Sequence, residues 1–186
     1  MAEKKILILM RGGTGSTALA HFFLARGYKV LGLHYDYGQP AADHEKSAVR
    51  AVAEYYGFEV ELHNLSVAVQ RVGYEFICRN ALLVFSAVAS FGLEYKLVGL
   101  GIHSGTPYYD CSRSFADHLQ LLLDGYFHGI IQLEVPFIDL TKQDILSYCQ
   151  AERVPVHLTY SCDMGARVPC GSCPSCRDRL AYDTRQ

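Results

Sequence analysis

The chain reads as an α/β protein built on a doubly wound parallel sheet. Three observations carry that reading. Short apolar runs alternate with helical stretches along the sequence, a pattern that implies parallel strands joined by crossover helices. Residues 6–9 (ILIL) are all apolar, as expected of a strand buried on both faces. A glycine-rich loop, RGGTGS at 11–16, follows that strand and leads into a helix, which is where such sheets hold their ligands.

The elements follow in order. After the first strand and its loop, an amphipathic segment carries Leu19, Phe22 and Phe23 on one side, with Gly27 placed to stop it. Residues 30–35 (VLGLHY) form a second strand ending at Asp36, residues 43–56 a helix closed by Gly57, and residues 58–62 (FEVEL) a third strand. Residues 79–91 are apolar at helical spacing through Leu82, Leu83, Phe85 and Ala89. A fourth strand at 96–100 runs into HSGTPYYDCS; a helix at 115–127 and a fifth strand at 130–135 come next. Thr141 and Asp144 match a capping box opening a helix that ends near Glu152. No repeat, low-complexity segment or linker interrupts the pattern. Residues 1–186 are therefore expected to form one domain, with a small metal-binding segment at about 160–180. Ligands of a doubly wound sheet sit beyond the C-terminal ends of its strands, so the loops at 11–16, 36–45 and 101–114 should share one crevice.

Composition excludes several classes. Half of the residues are hydrophobic, which makes the chain globular. A net charge of −2 and the lack of a long Lys/Arg run argue against a broad nucleic-acid surface. The first apolar run is too short for a secretory leader, and no stretch reaches the roughly 18 apolar residues of a membrane span. A cytoplasmic location is expected.

Seven cysteines, four of them crowded near the end, favour metal ligation in a reducing compartment over a disulfide framework. Cys162, Cys170, Cys173 and Cys176 are spaced C-x7-C-x2-C-x2-C, with Gly171 and Pro174 allowing tight turns. Four thiolates at this spacing suit one tetrahedral Zn²⁺, a structural site because protein fills every position. The net charge of −2 on such a unit fits the nearby Arg167, Arg177 and Arg179. An iron–sulfur cluster is the rival, since C-x2-C-x2-C also occurs in ferredoxins, although the trailing C-x3-C-P is missing. Unligated buried thiols are the third reading.

The glycine loop also has three readings. It is a plain βα turn; or a dinucleotide site, since Gly13-x-Gly15-x-x-Ala18 fits the fingerprint with Asp36 about 20 residues on; or a pyrophosphate loop, which usually reads SGGxDS. The Walker pattern is excluded, because no GK[ST] closes the loop. In every ligand-binding reading the free N–H groups of a helix start favour an anion.

RGGTGST after a strand, DYGQ at 36–39, RN at 79–80, SGTPYYDC at 104–111, LTKQDI at 140–145 and the four cysteines occur together in this order. In this the chain resembles the 7-cyano-7-deazaguanine synthase family, ATP-pyrophosphatase-type enzymes of the queuosine pathway, over nearly its whole length. The resemblance implies an adenine nucleotide alpha hydrolase-like fold, ATP and Mg²⁺ in the crevice, and a Cys₄ Zn²⁺ beside it. It also implies an ATP-consuming ligase that converts 7-carboxy-7-deazaguanine and ammonia, through an amide, to the nitrile. Under it Arg11, Gly12, Gly13, Thr14, Gly15, Ser16, Asp36, Tyr37 and Gln39 fall to the nucleotide. Ser16, Arg79 and Lys142 fall to catalysis, and Phe76, Asn80, Ser104, Tyr108 and Asp110 to the deazaguanine substrate.

Plainer readings stand beside these. Lys142 is otherwise a solvated lysine, Arg79 and Asn80 a helix-start charge and cap, and Phe76, Tyr108 and Tyr109 packing aromatics. Cys111 reads as a buried thiol more readily than as a nucleophile. His44 and His103 lie on crevice loops.

Departures from the family pattern are specific. The family loop begins with Ser and carries Asp before its last Ser, where this chain has Arg11 and Gly15. Ala41 stands where the family carries a His, His44 and Glu45 fall out of register, and the segment between Leu65 and Phe76 is shortened. A trimmed pocket leaves room for a larger acceptor, such as a protein amine, in place of ammonia. Alternatively it marks a degenerate relative that binds nucleotide or a partner without turnover. An NAD-dependent oxidoreductase is the remaining class, and a homodimer is left open.

Overall fold

The computed structural model describes residues 3–92 and 94–183. In chain order the elements are β1 (Lys5–Leu9), α1 (Thr14–Leu24), β2 (Lys29–Asp36), α2 (Ala42–Tyr56), β3 (Glu59–Asn64), β4 (Arg71–Val72), β5 (Glu75–Phe76) and α3 (Arg79–Phe91). They continue with β6 (Leu97–Gly99), a 3₁₀ turn (Tyr109–Cys111), α4 (Arg113–Phe127), β7 (Gln132–Glu134), α5 (Lys142–Ala151), a second 3₁₀ turn (Val156–Leu158) and α6 (Pro174–Asp183).

Five strands form a parallel sheet in the order β3-β2-β1-β6-β7. β1 lies at its centre, and its consecutive apolar residues serve two cores. Leu7 and Leu9 face Leu83, Val84 and Val88 of α3 and Leu119 and Leu123 of α4. Ile6 and Ile8 face Ala18 and Leu19 of α1, Val49 and Val52 of α2 and Ile145 and Leu146 of α5. Helices thus cover both faces, and each fully buried aliphatic side chain of β1 contributes roughly 1.5–3 kcal/mol. The doubly wound parallel sheet read from the sequence is the observed architecture.

The predicted elements recur, the helix at 79–91 with no shift and the others with ends moved by up to three residues. The capping box is present: the Asp144 N–H donates to Thr141 Oγ1 at 3.2 Å and the Thr141 N–H to Asp144 Oδ2 at 2.8 Å. Gly57 ends α2 in the left-handed region at φ 72°. The β4–β5 hairpin, α6 and the two 3₁₀ turns were not expected. Two-residue strands have no period to read, and the α6 segment PSCRDRLAYD lacks an apolar stripe.

The chain turns to one side of β1 for β2 and β3, then crosses to the other side for β6 and β7. The order therefore reverses between β1 and β6, and a crevice opens beyond their C-terminal ends.

Candidate active site

A cavity of about 360 Å³ occupies that crevice. Its apolar lining comes from Leu9, Leu83, Leu100 and Ile102. Gly13, Thr14, Gly15 and Ser16 line it at the start of α1. Gly13 is the N-cap residue, no side chain caps it, and the first turn holds no acidic residue. The first-turn N–H groups and the helix dipole thus face an opening suited to an anion.

The loop keeps its shape through Ser16. The Ser16 hydroxyl accepts from the Arg11 N–H and donates to the Gly13 carbonyl, both at 3.2 Å. Gly12 is required by geometry: its φ is +68°, and a methyl group there would lie 2.7 Å from the Glu45 carbonyl oxygen. Gly15, inside α1, lies against the β6 loop, where an added methyl would be 3.0 Å from the Gly101 carbonyl oxygen.

Arg11 and Glu45 line the cavity together. The Arg11 Nη2 is 3.8 Å from the buried Glu45 carboxylate, whose other oxygen accepts from Gln39 Nε2 at 2.8 Å. Arg11 Nε is buried with no hydrogen-bond partner among the described residues. The sequence reading set Glu45 aside as out of register with the family pattern; the fold buries it in the first turn of α2 and brings it to Arg11.

The DYGQ residues stand behind the wall and are absent from the lining. Asp36 is held by Lys46 Nζ at 2.6 Å and the Gly38 N–H at 3.0 Å, which together depress its pKa. Gln39 accepts from the Tyr37 N–H and donates to the Tyr35 carbonyl as well as to Glu45. They brace the loop that leads into α2, whose first turn carries Glu45. Gly12 likewise shapes the turn from outside the lining.

Arg79 and Asn80 begin α3 at the cavity wall. Arg79 Nε and Nη2 both donate to Asn80 Oδ1, at 3.0 and 2.9 Å. Asn80 Nδ2 donates to the Asp110 carbonyl at 2.8 Å. Asp110 is buried and does not line the cavity, whereas Cys111 does. Burial and the adjoining Asp110 push the Cys111 thiol up to about 12, so it stays protonated and unreactive. Tyr108 lines the cavity. Tyr109 points elsewhere, its hydroxyl at 2.8 Å from His118. Phe76 packs edge-to-face on Tyr37, with ring centroids 5.3 Å apart, and Ser104 donates to the Leu140 carbonyl; neither lines the cavity.

The Ser104–Leu140 tie brings the β6 loop against the start of α5, so His103 and Lys142 both reach the cavity. Burial lowers the Lys142 pKa, opposed by Asp178 and Asp163. His103 is driven down to about 4 by burial and by Lys142. The Gly105 N–H donates to His103 Nδ1 at 3.1 Å, which places the neutral ring's proton on Nε2.

The last wall is the cysteine segment, which contributes Tyr160, Cys162, Asp163, Pro174, Ser175 and Asp178. The sulfurs of Cys162, Cys170, Cys173 and Cys176 all lie within 4.8 Å of one another. Cys170 and Cys176 are 3.9 Å apart, close to the roughly 3.8 Å that four sulfurs adopt around one ion at about 2.3 Å. Backbone N–H groups of Cys170, Cys173 and Cys176 point at neighbouring sulfurs at 3.4–3.5 Å, and those of Cys173 and Ser172 draw the Cys170 thiol down to about 6. No described cysteine forms a disulfide. The donor set and its spacing fit a metal.

Comparison with known proteins adds a family. The model described as queuosine biosynthesis protein QueC matches residues 5–75 and 70–183. The two stretches meet inside the segment read as shortened. A 7-cyano-7-deazaguanine synthase of Nautilia profundicola is 26% identical over 204 residues, covering 95% of this chain and 92% of the relative. In solved structures, the NMN synthetase of Francisella tularensis aligns with a TM-score of 0.57 at 15% identity, covering 98% of this chain and 74% of that one. The U34-tRNA thiolase NcsA of Methanococcus maripaludis, described with its 4Fe-4S cluster, gives a TM-score of 0.57 at 12% identity, covering 99% of this chain and 66% of that one. These two likenesses concern the fold alone.

Proposed function

The chain belongs to the QueC family of queuosine biosynthesis proteins, and from that premise we propose that it is an ATP-dependent carbon–nitrogen ligase that activates 7-carboxy-7-deazaguanine. One observation carries the reading. The open α1 N-terminus, Arg11, Arg79 and Lys142 converge on one cavity at the sheet's switch point. A carboxylate is a poor electrophile, and ATP with Mg²⁺ supplies the adenylyl group that converts its oxygen into a leaving group. The protein's part is to hold the leaving anion and align the acyl group with an amine. The first-turn N–H groups of α1 and the Arg11 guanidinium hold the pyrophosphate, and Lys142 neutralises charge on the opposite side. Arg79 binds the substrate carboxylate through its guanidinium, and the Tyr108 ring faces the flat heterocycle. His103 enters as a neutral donor through Nε2.

Zinc is the metal we assign to the cysteines. Four sulfurs this close surround a single ion, whereas a four-iron cluster binds each sulfur to a different iron and spreads them apart. The site is structural, because no position is left open.

For the acceptor amine, one feature favours a group larger than ammonia. Val72, Tyr74 and Ile77, in and next to the β4–β5 hairpin, are exposed, as is Met164 of the cysteine segment, and Arg71 Nη2 contacts the Met164 sulfur at 3.8 Å. Tyr74 itself lines the cavity. The shortened segment thus leaves an apolar rim at the mouth, a surface for a peptide or protein bearing the amine.

The test is pyrophosphate release from ATP and Mg²⁺ by the unmodified chain. We expect release to require 7-carboxy-7-deazaguanine, and mass spectrometry to find the product on a peptide amine in preference to ammonia. Exclusive use of ammonia would refute the larger acceptor and keep the ligase. Activity appearing only after Arg11→Ser with Gly15→Asp would identify a degenerate site. Tight NAD binding with no response to ATP would overturn the assignment.

A further inference from the structure

We propose that Tyr160 is a positioning residue that couples metal occupancy of the cysteine segment to the shape of the glycine loop. The inference rests on reading that loop as the anion site.

Residues 160–166 form a closed turn around the ligand Cys162. The Tyr160 hydroxyl donates to the Ala166 carbonyl at 2.7 Å, and the Gly165 N–H donates to the Cys162 carbonyl at 3.2 Å. This turn touches the crevice loops at three points. The Tyr160 N–H donates to the Gly12 carbonyl at 2.8 Å, inside the glycine loop. The Tyr160 ring stacks on His44 in the first turn of α2, with centroids 4.6 Å apart and planes 15° from parallel. Gly165, at φ +66°, sits so close to the Pro40 carbonyl that no side chain fits there. Pro40 follows Gln39, whose amide holds Glu45.

Polar contacts hold the turn, including Ser175 Oγ to Asp163 at 3.0 Å, but its apolar core is small: among the described residues the cluster is Cys162, Cys173 and Cys176 with Tyr160 and Ala166 packed against them. A segment with so few apolar contacts opens readily unless an ion draws its ligands together. Loading the metal fixes Cys162, Cys162 fixes the turn, and the turn holds Gly12 through Tyr160. An anion that requires the ordered loop therefore binds the metal-loaded protein more tightly. By reciprocity it also strengthens metal retention by the same factor.

The experiment uses the full chain, zinc-loaded or stripped by chelator. Amide hydrogen exchange is read at residues 12–17, with β1 as the internal reference, and inorganic pyrophosphate binding by calorimetry. Zinc removal is expected to speed loop exchange at least tenfold with β1 unchanged, and to weaken pyrophosphate binding at least tenfold. Pyrophosphate should tighten zinc by the matching factor in competition with a chelating dye. Tyr160→Leu keeps the main-chain bond to Gly12 but loses the His44 stack and the Ala166 bond that hold the turn in place, so the zinc-loaded variant, retaining one zinc per chain, should show fast loop exchange already and no further response to stripping. Tyr160→Phe removes only the bond to Ala166 and should give an intermediate response, which serves if the leucine variant does not fold. Loop exchange that ignores zinc, or a full zinc response in both variants, overturns the coupling. Loop exchange that responds to zinc in a protein that does not bind pyrophosphate supports the coupling and refutes the anion reading.

Discussion

Glu45 and Arg11 show how one altered residue changes what its neighbours must do. A buried carboxylate is tolerated only when paired and hydrogen-bonded, and Glu45 has Gln39 on one oxygen and Arg11 near the other. Removing a partner from a buried pair costs about 3–5 kcal/mol, but the Arg11 side chain is 41% exposed and solvent screens it. Arg11→Ala is therefore expected to cost roughly 1–2 kcal/mol. Adding Glu45→Gln should recover most of that loss, as read from urea denaturation of the four proteins in the cycle. Additive losses would show that the two side chains do not interact. His103 makes a pH prediction. Its folded pKa, about 4, lies below the ordinary 6.5, so between these values the unfolded chain holds the extra proton. The neutral ring's contribution to stability is complete above pH 6.5 and is lost as pH falls toward 4. An NMR titration should find the His103 midpoint near 4 with the proton on Nε2 at neutral pH. Lys142→Met should raise that midpoint, since the Lys142 charge is the second cause of the depression after burial. A midpoint near 6.5 in the unmodified protein would show that burial and Lys142 do not depress His103, and one well above about 7 would remove it as a neutral donor.

Elements place these residues through their ends. Lys142 reaches the cavity because α5 starts where it does, and the Thr141–Asp144 box fixes that start. Thr141→Ala removes the acceptor for the Asp144 N–H and should cost about 1 kcal/mol, a drop of roughly 2–4 °C in Tm for a chain of this size. An unchanged melt would mean that packing of Ile145 and Leu146 alone sets the helix start. The contact between α1 and the β6 loop is tighter. Alanine normally improves a helix over glycine by up to about 1 kcal/mol, yet at Gly15 the added methyl meets the Gly101 carbonyl at 3.0 Å. Overpacking costs roughly 1–3 kcal/mol, so Gly15→Ala should be destabilising on balance in a thermal melt; a gain would show that the β6 loop yields. The same crowding awaits Gly15→Asp, and positive φ plays no part in it, since Gly15 has the ordinary helical conformation. Activity of that variant is interpretable only once its melt is known.

At the level of the whole molecule, the sheet was legible because β1 is apolar at successive positions and glycines sit where α1 begins and α2 ends. What escaped depended on contacts distant in sequence. Glu45 meets Arg11 only through the fold, and Phe76 and Ser104 look like site residues until packing gives them other partners. The hairpin at 71–76 has too few residues for any period. The cysteines were legible as a metal set from spacing alone; their place beside the crevice came only from the family resemblance, and the structure puts Cys162 in the cavity wall. That place implies that a metal bound there would support both the fold and the site. Cys162 and Cys173 are buried, and the segment's small core is built from the ligands themselves. Cys173→Ser should therefore release the metal, expose the segment to limited proteolysis and leave the five-stranded sheet folded, because structural zinc contributes folding free energy only where its ligands lie. The cavity would lose the wall formed by Tyr160, Asp163 and Asp178. Elemental analysis should find about one zinc per chain before the substitution and none after it. Stoichiometric iron with visible absorbance would replace zinc in this account, and full metal retention by the serine variant would remove Cys173 from the ligand set.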